Sequence, residues 1–88
     1  MNANEESAVR KPFTIIVNGR KKEWAKNKIS FKEVVILAFG TYEENEQIVY
    51  TVSYETTERP PREGSMVVGD EVKVSEGMIF NVARSDKS

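Results

Sequence analysis

Neither cysteine nor histidine occurs in this sequence, and the two absences remove whole classes of function. Without thiols there is no disulfide framework and no thiolate chemistry. Without imidazole there is no triad that needs a histidine base, and zinc sites built on Cys or His are excluded. Catalysis would have to rest on carboxylates, lysines and tyrosines, and none of these stands in a recognisable constellation, so no catalytic residue is assigned and no cofactor is expected. Long apolar runs are missing as well. Nothing reaches the roughly 20 residues a membrane-spanning helix needs, and the polar N-terminus lacks a signal-peptide pattern. No membrane partner is expected, and the expected location is the cytoplasm. Proline is scarce: Pro12, Pro60 and Pro61 are the only three. With 88 residues the chain has length for one small domain, which buries a little over about 60% of its unfolded surface and has little stability to spare.

Charge of one sign is lacking overall but not locally. Formal net charge is −1, yet residues 1–32 hold eight Lys/Arg against three Glu, whereas residues 33–88 hold five Lys/Arg against eleven Asp/Glu. The run Arg20-Lys21-Lys22, with Lys26 and Lys28 following, reads either as a phosphate-contacting patch or as a solvated hairpin and loop. A nucleic-acid site would also want aromatic platforms between the basic residues. Only Trp24 is available, so the solvated reading is preferred and no nucleic-acid partner is expected.

The chain is organised around Ile29-Ser30-Phe31-Lys32-Glu33-Val34-Val35-Ile36-Leu37-Ala38-Phe39-Gly40. Ser30 followed three residues later by Glu33 is a capping-box pattern, and Ile29 with Val34 fits the accompanying hydrophobic staple. Gly40 supplies the left-handed residue that commonly ends a helix. At 100° per residue Phe31, Val34, Val35, Ala38 and Phe39 share one side, with Lys32 and Glu33 turned away. A helix this short is marginal alone in water, so it needs a sheet to lie on.

Strands for that sheet lie on both sides. Phe13-Thr14-Ile15-Ile16-Val17 is β-branched and apolar, and Asn18-Gly19 after it is a strong two-residue hairpin signal. Residues 20–24 return, with charge suited to a sheet edge, and residues 25–28 lead into the helix. An acidic loop over residues 41–47 precedes the clearest alternation in the chain, residues 48–54, with Tyr50, Val52 and Tyr54 on one face and Val49, Thr51 and Ser53 on the other. Residues 55–64, containing Pro60-Pro61, read as a surface loop. Residues 65–68 and 71–74 are short extended pieces split by Gly69-Asp70, and residues 78–83 form the last strand. One helix can cover one sheet face, which predicts a two-layer α+β domain. Phe13, Ile15, Val17, Tyr50, Val52, Met78, Phe80 and Val82 are assigned inward as its floor.

Two other features have alternative readings. Glu43, Glu44 and Glu46 lack the alternating ligands and glycine of a calcium loop, so a solvated loop is preferred and no metal site is assigned. Trp24 either caps the core beside the helix or anchors a partner, with the structural role preferred.

This order of elements resembles the ubiquitin-like β-grasp fold, a mixed four- to five-stranded sheet packed on one main helix, in which the last strand lies between the first and third. The stretches Val17-Asn18-Gly19-Arg20, Ile29-Ser30-Phe31-Lys32-Glu33-Val34-Val35, Tyr50-Thr51-Val52-Ser53-Tyr54, Gly64-Ser65-Met66, Gly69-Asp70-Glu71-Val72-Lys73-Val74 and Glu76-Gly77-Met78-Ile79-Phe80-Asn81-Val82 resemble a narrower group, the bacterial multiubiquitin-domain family. Residues 1–10, small, polar and charged, are expected to be a disordered lead, followed by a β-grasp domain over 11–84 and a flexible tail over 85–88. The resemblance implies a ubiquitin-like protein modifier, with an adenylating activating enzyme, a conjugating-enzyme-like protein and a deubiquitinase-like metallopeptidase as partners. In that fold Ile16, Val49, Thr51, Ile79 and Ala83 would gather on the outer sheet face, either as a shallow partner-binding patch or as ordinary scattered apolar surface.

The conjugation tail implied by the resemblance is Arg84-Ser85-Asp86-Lys87-Ser88, mobile because it has nothing to bury. It departs from the Gly-Gly end of ubiquitin. Either the cognate enzyme accepts it, or a peptidase trims it, or no conjugation occurs. In the last case the chain is a non-covalent β-grasp interaction module.

Overall fold

Asn18 and Gly19 carry φ angles of 52° and 80°, the two positive values that a tight hairpin with right-handed twist requires. In the computed structural model, which describes residues 11–86, they join β1 (Phe13–Val17) to β2 (Arg20–Trp24) antiparallel, with Phe13 opposite Trp24 and Val17 opposite Arg20. The lead expected over residues 1–10, and Lys87 and Ser88 at the end of the expected tail, lie outside the described residues.

After β2 come β3 (Lys28–Ser30), helix α1 (Phe31–Phe39), β4 (Ile48–Glu55), β5 (Glu63–Met66), β6 (Glu71–Lys73) and β7 (Ile79–Asp86). Five strands form one mixed sheet in the order β2-β1-β7-β4-β5. β7 runs parallel to β1, with Ile16 beside Ile79, and antiparallel to β4. The last strand thus lies between the first hairpin and β4, and one helix packs across the sheet: an α+β fold of the ubiquitin-like β-grasp kind. β3 was not foreseen. It pairs with β6 in a separate two-stranded sheet, Ile29 opposite Val72. Three residues are too short for a periodic signal, and their partner lies over forty positions away.

Local chemistry sets both ends of α1. Ser30 Oγ accepts from the Glu33 N–H at 3.1 Å, and Glu33 Oε1 accepts from the Ser30 N–H at 2.9 Å, completing the capping box. The Phe31 N–H, a further orphan donor of the first turn, donates to the Asp70 carbonyl at 3.0 Å. At the other end Gly40 has φ 84° and donates to Ile36 O. Ser30→Ala removes one reciprocal bond from this cap and is expected to cost about 1 kcal/mol, read as a shift in the urea midpoint.

Glu33 also pairs with Lys26, Nζ to Oε2 3.0 Å. Burial disfavours its charged form, but hydrogen bonds from the Ser30 N–H and the Lys26 ammonium, together with the Lys26 charge, outweigh it. They hold the carboxyl below a glutamate's ordinary value. A group whose folded pKa is depressed stabilises fully above its unfolded pKa, and that contribution is lost as pH falls through the folded one. Glu33→Gln keeps a capping acceptor but not the charge. Its stability deficit should therefore be largest near neutrality and shrink across the acid side of the carboxylate range, as urea midpoints at stepped pH will show.

The floor assigned inward is the floor observed. Ile15, Val17, Val52, Met78, Phe80 and Val82 are buried, with Phe13 and Tyr50 half-buried against them. From above, Phe31, Val34 and Val35 close the core. The helix face is rotated slightly from the expected one. Phe39 is 42% exposed, and Leu37 packs on the core instead. β4 and β5 are joined by a loop closed at Thr56, whose N–H donates to Arg62 O at 2.8 Å and whose buried Oγ1 accepts from the Arg62 N–H at 2.7 Å.

Where β1 runs out, one side chain continues its ladder. The Asn18 carboxamide accepts from the Val82 N–H at 2.8 Å and donates to the Val82 carbonyl at 3.0 Å. An asparagine amide has the same donor and acceptor pair as a peptide group, so it stands in for the strand residue that β1 lacks beside β7.

Candidate functional site

Strand alternation puts Ile16, Val49, Thr51, Ile79 and Ala83 on the face of the sheet opposite α1. The register divides them. Ile16 lies beside Ile79, both half-buried, while Thr51 lies beside Ala83 and Val49 beside Ser85, all exposed. Between the two groups stand Asn81 and its partner Ser53. The outer face therefore carries two small apolar areas separated by a polar pair. Glu55 is the cross-strand neighbour of Ile79, so an acidic replacement there would meet a like charge.

The last strand is longer than the sequence reading placed it. Arg84, Ser85 and Asp86 continue β7 and pair with Tyr50, Val49 and Ile48. Arg84 also reaches Glu43 at 3.8 Å and Asp86 at 3.6 Å. These three residues have exposed side chains but a paired backbone, so among the described residues no part of the expected conjugation tail hangs free. The side chains gave no hint of this, because ladder hydrogen bonds join backbone groups and are indifferent to the polarity of what the strand carries.

On the helix side of β4 lies a groove that the sequence reading missed. Tyr42 stacks on Tyr50 with centroids 5.3 Å apart, Phe31 meets Tyr42 edge-on at 6.2 Å, and Phe39 leans on Tyr50 at 6.1 Å. The Tyr50 hydroxyl accepts from the Glu43 N–H at 3.1 Å, tying the acidic loop to the sheet. Phe31, Tyr42, Ile48, Tyr50 and Val68, with Val49 at the strand's edge, form the apolar part of a groove of about 410 Å³, and Glu43, Glu44 and Glu46 form its acidic wall. The signal was present in part: Phe31 and Phe39 lie two turns apart, and tyrosines bracket the acidic run. Their meeting depends on how the loop folds back. No group of acidic residues among those described is arranged to hold a metal ion.

Trp24 takes the structural role. Its ring packs against the core, its Nε1–H donates to Lys28 O at 2.8 Å, and Lys26 Nζ lies 5.2 Å from the ring centroid. Arg20, Lys21 and Lys22 lie on the edge strand β2, where charge discourages pairing with other sheets. No helix among the described residues is long and apolar enough to cross a membrane.

No curated protein and no solved structure matches the chain. The multiubiquitin family model matches residues 13–86, from the first residue of β1 to the last of β7. With a β-grasp fold spanning that same stretch, the chain belongs to the multiubiquitin family.

Proposed function

We propose that this chain is a ubiquitin-like protein modifier of a bacterial ubiquitination-like pathway, acting in the cytoplasm and activated at its C-terminus by a partner adenylating enzyme. Membership of the multiubiquitin family over the whole β-grasp domain carries this reading. A carboxylate is a poor acyl donor until it is given a leaving group. The terminal carboxylate oxygen attacks the α-phosphorus of ATP and displaces pyrophosphate, leaving an acyl-adenylate. An acceptor amine then attacks the acyl carbon, AMP departs with the electron pair of the broken C–O bond, and the amine proton passes to base or water. A conjugating-enzyme-like protein would transfer the acyl group, and a metallopeptidase would hydrolyse the product. The outer-face residues Ile16, Val49, Thr51, Ile79 and Ala83 are the proposed docking surface for these partners. Residues 84–88, or the end uncovered by trimming, are the proposed point of attachment.

The pairing of β7 through Asp86 favours a second reading, a non-covalent interaction module, because a paired strand must be peeled before it can enter an active site. The test uses the adenylating enzyme encoded nearest to this chain, with ATP, following pyrophosphate exchange and the mass of any conjugate. The intact chain is expected to exchange and to conjugate. A deletion of residues 87–88 should leave the thermal midpoint unchanged, since it removes no described strand pair. A deletion of residues 84–88 should lower the midpoint, by removing the pairs with Ile48, Val49 and Tyr50. No exchange and no conjugate, either from the intact chain or from chains ending at Asp86 or Ala83, would leave the interaction module as the function.

A further inference from the structure

Helix α1 separates two flanks of opposite charge. On the β2 side, Arg20 and Lys22 border a groove of about 400 Å³ whose apolar part is Val17, Leu37 and Ala38. On the β4 side is the aromatic groove with Glu43, Glu44 and Glu46 along its wall. The strand order β2-β1-β7-β4-β5 keeps the two apart, with β7 between the strands that line them. The two grooves therefore carry rims of opposite charge.

We propose that the basic flank of one copy docks into the acidic aromatic groove of a second copy, head to tail. The acidic groove has the anatomy of half an interface, an apolar centre with a charged rim, and the basic flank offers a mainly polar surface of opposite sign. The groove also shows its taste for cations within a single chain: Lys32 Nζ lies 5.6 Å from the Tyr42 ring centroid, at the groove's lip. Beside that lip Val67 and Val68 are 64% and 72% exposed, large for adjacent apolar residues. An arginine suits the groove better than a lysine, because its planar guanidinium stacks on a ring while bonding a carboxylate, and Arg20 is on the flank that would enter.

Self-pairing through like flanks is opposed, since it would set Arg20, Lys21 and Lys22 against their own copies. Because the two contacting flanks differ, the association is heterologous and leaves one open flank at each end. It grows with concentration into rows of domains and does not stop at a dimer. Its charged rims are solvent-exposed, so it weakens as salt shortens the Debye length.

Sedimentation velocity on the full 88-residue chain tests this. At about 0.02 M salt the weight-average mass should rise above the 10.0 kDa monomer as protein concentration rises. At about 0.5 M salt, where the Debye length falls to a few ångströms, it should return to the monomer. R20E/K22E and E44K/E46K should each be monomeric alone at low salt, Glu43 being left in place to keep its contact with Arg84. Mixed in equal amounts, they should associate again, through the intact groove and intact basic flank they hold between them and through the two reversed surfaces, which are also opposite in sign. Should either reversal fail to give the wild-type circular dichroism spectrum, the neutral pairs R20Q/K22Q and E44Q/E46Q replace it, each expected to abolish growth. A wild-type chain that stays monomeric at low salt and high concentration overturns the proposal. So does association that survives either substitution pair, or a reversed pair that remains monomeric when mixed.

Discussion

Phe80→Ala is expected to destabilise the domain by about 3–5 kcal/mol, the usual cost of removing a phenylalanine from a core that cannot collapse around the loss. Phe80 has no exposed surface and sits on β7, with strands hydrogen-bonded on both sides and α1 above. Its ring lies 6.3 Å from that of Tyr54, and Val17 is its neighbour across the parallel pair. The backbone there is pinned by the Asn18 N–H, which donates to the Phe80 carbonyl at 3.0 Å. Neighbours held this firmly relax little, so the cavity term adds to the transfer term. Domains of this size have total stabilities of only about 5–10 kcal/mol, so the variant should populate unfolded chain under mild conditions. Phe39→Ala is the matched control. Phe39 is 42% exposed and leans chiefly on Tyr50, so truncating it should cost about 1 kcal/mol, the scale of one partly exposed aromatic contact. Equal urea midpoints for Phe80→Ala and the wild type would place Phe80 outside the core.

Asn18→Ala should be nearly as damaging, although Asn18 is at a turn and exposed. The substitution removes two hydrogen bonds to Val82 and puts alanine at φ 52°. Two bonds at their usual net value, with the steric penalty of a left-handed non-glycine residue, amount to about 2–4 kcal/mol. Asn18→Gly separates these effects, since glycine tolerates the angle but cannot bridge. Asn18→Asp keeps an acceptor for the Val82 N–H and loses the donor to the Val82 carbonyl. The expected order of stability is wild type, then Gly and Asp, then Ala. Hydrogen exchange at the Val82 amide should speed up in the Ala and Gly variants beyond what their global stability explains. An unchanged exchange rate there would show that water replaces the side chain without loss.

Asn18 also shows where reading by sequence reaches its limit. Its place before Gly19 predicts a hairpin because backbone angles are a local matter, and the hairpin is there. The bridge to Val82 spans 64 positions, and nothing near Asn18 in the chain encodes it. The same division runs through α1. Its cap, its end at Gly40 and the burial of Phe31, Val34 and Val35 follow from spacings of three and four residues. That Phe39 leans on Tyr50, with Tyr42 stacked on the same tyrosine, depends on the path of residues 41–47, which no periodicity specifies.

The sequence by itself determined the secondary elements carrying a turn, a cap or a repeat, the inward face of each long strand, and the sheet-and-helix layering that follows. The tertiary structure decided what depends on partners distant in the chain. It paired β3 with β6, although neither is long enough to announce itself. It carried β7 on to Asp86, because β4 begins at Ile48 and its backbone offered partners to residues with nothing to bury. It also brought Arg20 and Lys22 to one flank of the helix and Glu43, Glu44 and Glu46 to the other. Turn angles and side-chain alternation are set within a few residues, whereas a strand's end and a groove's lining are set by whichever backbone or ring arrives from elsewhere.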